Sequence, residues 1–284
     1  MDVSIPDLCS RRPDAARRVE RLALPLLRLV HLGCEPVTMR WHRMRMVSDF
    51  WRFYVVDRPG LALVGSGARM AYPVDGITVI PGYCPFTFIA DPHVGHAFIH
   101  CAIPAWPEAL VRRAFPEPFV LDHRDSTRRL QELGREIATP RDEEATLAWR
   151  AQALSTDLMW RILARLDDAM RQRLLGTPAG RLAPALALVE ERMGTALSVA
   201  DLAATIGVGA ARCSRLFQAE LGQSPLQYLL GRRVARTAEL LVASSLGMEE
   251  IATRCGFPDR HYLTRQFSRR MGIPPARYRA IYQT

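Results

Sequence analysis

The chain has 284 residues, 49% hydrophobic and 24% charged, which is enough for two packed domains and excludes an intrinsically disordered chain. All 38 basic side chains are arginine against 29 carboxylates, a formal charge of +9; six cysteines without a CxxC spacing exclude a disulfide scaffold and fit a reducing cytosol. No run approaches the ~18 apolar residues of a membrane span.

Residues 1–21 are polar, rich in Arg and Asp, and carry Pro6 and Pro13, so a flexible N-terminal arm is expected. The Arg-rich start and the apolar run after it imitate a signal peptide, but Arg28 interrupts the run and no small-residue cleavage site follows. Residues 22–122 break into short β-prone runs at 26–32, 37–47, 50–56, 61–65, 69–72, 76–80, 86–90 and 97–103. Gly33, Pro36, Gly60, Gly67, Pro73, Gly82 and Pro92 are among the punctuating residues. Short strands at near-regular spacing predict a β-barrel or sandwich.

Helical periodicity takes over near Pro104, with expected helices at 106–115, at 126–138 with Ser126 as N-cap, and at 143–175. In the last of these, Leu147, Leu154, Leu158, Ile162, Leu166 and Met170 form one stripe. Residues 123–176 therefore read as a helical segment whose stripe packs on its own domain or forms a dimer seam. The Gly/Pro run at 176–180 marks a linker, placed at 177–181, before an all-α region at 182–284.

That last region contains one pattern twice. Arg215, Phe217, Gly222, Pro225 and Tyr228 recur 50 positions later as Arg265, Phe267, Gly272, Pro275 and Tyr278. Upstream of each turn the offset is 49, pairing Ala203 with Ala252 and Gly207 with Gly256, so the second turn holds one more residue. Two short helices around a glycine turn are a common way to present a helix to the major groove. The periodicity turns Ala211, Arg212, Ser214, Arg215 and Gln218 outward in the first unit. In the second it turns out Arg260, His261, Thr264, Arg265, Ser268 and Arg269. Between the units a helix of roughly 18 residues, begun by Ser224 and Pro225, spans about 27 Å, near the ~34 Å repeat of successive major grooves.

Residues 181–284 hold 14 Arg against 8 acidic residues, whereas residues 1–180 hold 24 against 21. Guanidinium groups suit bidentate contact to phosphate and guanine, although a codon preference for arginine gives the same count.

Through Arg215-Leu216-Phe217, Tyr228-Leu229, Arg233, Leu240-Leu241, Ile251-Ala252, Gly256-Phe257, Arg265, Phe267, Gly272 and Pro275 to Arg279, residues 197–279 resemble the DNA-binding domain of the AraC/XylS family of bacterial transcription regulators. The resemblance implies base-facing positions at Ala211, Ser214 and Arg215 and at Arg260, His261, Thr264 and Arg265. Arg212 and Arg269 are placed to neutralise phosphate. Two departures, Gly209 where the family has a capping Ser and the small Ala211, shift base discrimination toward the second unit.

Residues 76–82 and 97–100 resemble the cupin-like effector domain that precedes many such regulators. The implied fold class is α+β, a cupin-like barrel with a helical dimerisation segment followed by an all-α domain of two helix-turn-helix units. The implied partners are double-stranded DNA, a small-molecule effector such as a sugar or another small metabolite, RNA polymerase and a second copy of the chain. Activation is the expected mode, the cytoplasm the expected location, and the arm is expected to close over the ligand. Candidate effector-binding residues are Arg40, His42, Arg52, Tyr54, His96 and His100, with Trp41, Trp51 and Tyr54 available to stack; which of them point inward depends on strand parity, which stays open.

No cofactor, metal or catalytic residue is expected. Two other readings are a metal-dependent cupin enzyme built on His93, His96 and His100, and a nonspecific architectural DNA-binding protein. The first lacks a carboxylate partner and needs three histidines whose offsets do not share a strand face. The second differs from a regulator in its ratio of specific to random-sequence affinity.

Overall fold

The computed structural model describes residues 27–37, 39, 42–103, 106–139, 143–175 and 181–282. The expected arm at 1–21, Arg40, Trp41 and residues 177–180 of the expected linker lie outside them.

Strands β1 (Arg28–Pro36), β3 (Trp51–Val56), β6 (Ile77–Ile80), β8 (Gly95–Ala102) and β9 (Phe119–Leu121) form a five-stranded antiparallel sheet in the order β1-β8-β3-β6-β9. A second antiparallel sheet, ordered β2-β7-β4-β5, uses β2 (Arg45–Met46), β4 (Ala62–Val64), β5 (Arg69–Ala71) and β7 (Phe86–Ile89). Every residue of β3 is buried because its sheet is covered on both faces. Tyr54 and Val56 join Leu61, Leu63, Phe86 and Phe88 in the core that includes the second sheet. Trp51, Phe53 and Val55 share a core with helices α1 (Glu108–Ala114), α2 (Arg124–Ala138), α3 (Glu144–Leu163) and α4 (Asp168–Leu175).

Several boundaries differ from the sequence expectation. Gly33 does not end β1, because it sits opposite Phe98 on β8 and the Phe98 ring occupies the space a Cβ would take. The run at 37–47 reduces to β2, since Arg43 adopts a left-handed φ of 56°. Strand β9 has no counterpart among the expected runs: three residues behind Pro118 complete the edge of β6. His123, not Ser126, caps α2, its ring accepting the Ser126 N–H at 3.2 Å, while Ser126 is buried inside the first turn. The single helix expected at 143–175 breaks after Leu163, where Asp167 caps a new start by accepting the Met170 N–H at 2.7 Å.

The C-terminal region is helical: α5 (Ala183–Arg192), α6 (Val199–Thr205), α7 (Ala210–Leu221), α8 (Pro225–Ala243), α9 (Met248–Arg254), α10 (Arg260–Met271) and α11 (Pro275–Tyr282). The first unit has its own core around Leu202, Cys213, Phe217 and Leu229. The second unit, around Ile251, Leu263, Phe267 and Tyr278, continues into the core between the sheets. Ion pairs Arg28–Glu239 and Arg270–Glu108, each at 2.5 Å, also join the β-rich and helical parts. Among the described residues no helix is long and apolar enough to cross a membrane.

Candidate nucleic-acid interface and inter-sheet cluster

The duplication in sequence is a duplication in space. Buried Cys213, Phe217 and Leu221 on α7 recur at the same offset as buried Leu263, Phe267 and Met271 on α10. Phe217 meets Tyr228 edge-on at 6.0 Å, and Phe267 meets Tyr278 edge-on at 5.2 Å. Each helix pair turns at a left-handed glycine, Gly207 at φ 65° and Gly256 at φ 74°; a Cβ on Gly256 would also fall 2.4 Å from the Met193 carbonyl. Linking the units, α8 has a capping box of Ser224 and Gln227 with Pro225 in its first turn, and its 19 residues span about 28 Å.

Fixing the buried face fixes the outward one. On α7, Ala211, Arg212, Arg215 and Gln218 are exposed and Ser214 is half-buried. On α10, Arg260, His261, Arg265 and Arg269 are exposed, with Thr264 and Ser268 half-buried. Asp259 caps α10 by accepting the Tyr262 N–H at 2.7 Å, and that hydrogen bond holds its carboxyl below the usual carboxylate range. Gly209 caps α7 without any side-chain bond. The Arg265 guanidinium lies over the Tyr262 ring at 5.6 Å, Arg260 approaches Glu249 at 3.7 Å, and Thr264 Oγ1 donates to the Arg260 carbonyl at 2.7 Å.

Other arginines of this region act within the fold. Arg233 donates to the Met193 and Thr195 carbonyls at 2.8 and 2.7 Å, and burial lowers its pKa. Arg279 donates to the Leu241 and Leu246 carbonyls at 3.2 and 2.6 Å, and Arg232 pairs with Glu190 at 2.5 Å. The arginine excess is thus divided between an outward face and helix-end staples. Their partners are mostly carbonyls distant in sequence, which periodicity does not reveal.

Between the sheets, strand parity is now resolved. Arg52, Tyr54, His96 and His100 are all buried, and Arg52 and His100 stand opposite each other on β3 and β8. Tyr54 Oη lies 3.1 Å from His100 Nε2. The rings of His96, Phe98 and His100 stack along β8 at 5.2 and 4.7 Å, and Phe50 continues the stack at 5.1 Å. Arg52 donates to Ser48 Oγ at 2.5 Å, with its guanidinium over Phe50 and Phe86 at 4.4 and 5.1 Å. Burial depresses the His96 pKa to about 4 and drives that of His100 well below its usual value. Sequence reasoning missed His31, Phe50 and Tyr72; His31 lies 5.6 Å from His100 and Tyr72 lies 5.6 Å from Tyr54, ring to ring. Two candidates fall elsewhere: His42 sits in the turn before β2, bonded to the Ala90 carbonyl at 3.2 Å, and Trp51 faces Trp106 and Phe115 on the opposite side of its sheet. His93 lies exposed in the turn leading into β8, apart from the inward face that holds His96 and His100.

A β-rich half joined to two like units with outward arginines defines a double helix-turn-helix protein with a β-rich domain before it. Residues 202–281 match the family model described as a helix-turn-helix domain. A Bacillus subtilis protein, described as the uncharacterized HTH-type transcriptional regulator YfiF, is 28% identical over 141 residues, which is 50% of this chain and 45% of that protein. A putative AraC-like transcription regulator of Streptomyces lividans is 32% identical over 117 residues, 41% of this chain and 38% of its own length. The matched region thus spans less than half of either relative. The structure of ToxT from Vibrio cholerae O395 has the same fold over 89% of this chain and 97% of its own, with a TM-score of 0.59 at 9% identity. The C-terminal residues 202–281 thus form a helix-turn-helix domain similar in sequence to that of an AraC-like regulator.

Proposed function

We propose that the protein is a ligand-responsive, sequence-specific DNA-binding transcriptional regulator that works as a homodimer in the cytoplasm and activates transcription through contact with RNA polymerase. In this reading residues 182–284 bind DNA, residues 22–122 bind the effector, and residues 123–176 form the dimerisation segment. Arg260, His261, Thr264 and Arg265, with Ala211, Ser214 and Arg215, face bases, while Arg212 and Arg269 meet phosphate. The observation that carries the reading is the repeated outward face of α7 and α10, in two units joined by one 19-residue helix.

The effector is a small metabolite, such as a sugar, held against Arg52, Tyr54, His96 and His100. The support is chemical: stacked rings with a guanidinium, a phenol and neutral imidazoles suit a small molecule with an apolar face and a few polar atoms. Binding there would bias how the helical part docks on the β-rich part, because the two share one core. Recovering genomic fragments bound by the purified chain and measuring their affinity against random sequence tests the central reading. A ratio of at least ~10³ is expected, whereas a ratio near one indicates an architectural protein.

A further inference from the structure

A cleft of about 420 Å³ opens where α1 meets the helical half. Two contacts bring α1 there. Ala109 rests on Gly222, the left-handed C-cap of α7, where a Cβ would fall 3.0 Å from the Ala109 Cβ, and Glu108 reaches Arg270 near the end of α10. Beside these contacts the cleft is walled by α1, the cap of α7, the start of α8 and the last turns of α10. Arg112, Arg269 and Arg270 line it around a single carboxylate, Glu108. Both Glu108 oxygens are already occupied, one accepting from Arg112 Nε at 2.9 Å and the other from Arg270 Nη1 at 2.5 Å. That contact leaves the two Nη groups of Arg112 for another acceptor, and among the described residues Arg269 has no ion pair.

Three guanidiniums against one carboxylate leave two positive charges to be balanced. The amides of Gln223 and Gln266 add neutral donors, and Leu230 with Ala109 supplies an apolar side. Position around α10 separates the cleft from the base-facing surface. At about 100° per residue, Gln266 and Arg270 stand roughly 100° and 140° round the helix from Arg265, and Arg269 roughly 40°, at the border. A duplex seated on Arg265 therefore reaches Arg269, whereas Arg270 turns toward α1. The interior of the cleft suits a small molecule better than a DNA backbone, and its volume falls in the range of metabolite pockets.

We infer that this cleft binds a small organic dianion, its charge held by Arg112, Arg269 and Arg270 and its carbon part against Leu230. Guanidinium groups take phosphate and carboxylate alike through paired N–H donors. The site is separate from the inter-sheet cluster, since Arg52, Tyr54, His96 and His100 do not line it. A ligand held there bridges α1 to both helix-turn-helix units, which couples its binding to their docking. Titration calorimetry of the full chain with inorganic phosphate and with succinate, at constant ionic strength, tests the site and separates the two ligand chemistries. At least one of the two is expected to bind one per chain with a dissociation constant of about 1 mM or tighter. Arg112→Gln and Arg269→Gln are each expected to weaken it at least about tenfold with an unchanged far-UV spectrum. Arg69→Gln, the same loss of charge at an exposed residue outside the cleft, is expected to leave it unaltered. No stoichiometric binding of either anion, binding that Arg112→Gln leaves intact, or a weakening that Arg69→Gln matches overturns the site. So does a salt slope of DNA binding lowered by about one in Arg112→Gln, which gives the cleft to the DNA backbone. Selective DNA binding by a chain that takes up neither anion would leave the regulator reading standing without this site.

Discussion

Glu108 and Arg270 are 162 residues apart in sequence yet meet at 2.5 Å, tying the first turn of α1 to the last turn of α10. Arg270 also donates to the Gln227 carbonyl at 3.1 Å, so one guanidinium joins the β-rich half, the linking helix and the second outward helix. With Arg28–Glu239 it forms a two-point tether between the halves. Each pair is partly solvated and is worth about 1 kcal/mol or less. Replacing both acceptors, Glu108→Gln with Glu239→Gln, is expected to increase the radius of gyration in small-angle scattering while far-UV ellipticity holds. Unchanged dimensions would show that apolar docking alone fixes the arrangement.

Arg265 is exposed on α10 and its side chain supports no buried contact. Arg265→Ala is expected to weaken specific operator binding by about 1–3 kcal/mol while the unfolding midpoint stays put. Arg212→Ala is expected to weaken binding evenly across sequences and to reduce the salt slope by about one. Titrations at several fixed salt concentrations separate the two behaviours.

Gly134 on α2 lies against Ala97 on β8, where an added Cβ would fall 2.4 Å from the Ala97 Cβ. Gly134→Ala is therefore expected to destabilise the β-rich half by about 1–3 kcal/mol, because the helix must lift from the sheet. Urea unfolding followed by tryptophan fluorescence reads this directly, and an unshifted midpoint would contradict the packing.

His96 has its pKa lowered from 6.5 to about 4 by burial, so the unfolded chain binds a proton that the folded chain refuses in that interval. Its contribution is fully present above pH 6.5 and is lost as pH falls toward 4, with a total on the order of 3 kcal/mol. Asp49 acts in the opposite sense, its pKa raised to about 6 by burial, so the test is a difference between proteins. The stability gap between the native chain and His96→Asn is expected to narrow from pH 7 to pH 4.5. A gap independent of pH would contradict it.

The helical half was legible because its information is local. A repeat at fixed offset, glycines at the turns and a 3.6-residue period specify α7 and α10 before any tertiary contact is known. The β-rich half depended on partners that sequence does not display. β1 passes through Gly33 only because Phe98 covers it from the neighbouring strand, and β9 exists only because the edge of β6 is open to it. The polar cluster between the sheets is legible in sequence only as residue types, and pairing with β8 gives Arg52 and Tyr54 their inward face.

The most direct test is a hydroxyl-radical footprint of the chain on a selected operator, run beside Arg215→Ala and Arg265→Ala. Two protected tracts about 10 base pairs apart on one face of the duplex are expected for each chain, Arg215→Ala fading one and Arg265→Ala the other. A single tract, or protection that both substitutions leave intact, would contradict the account of two outward helices reading successive grooves.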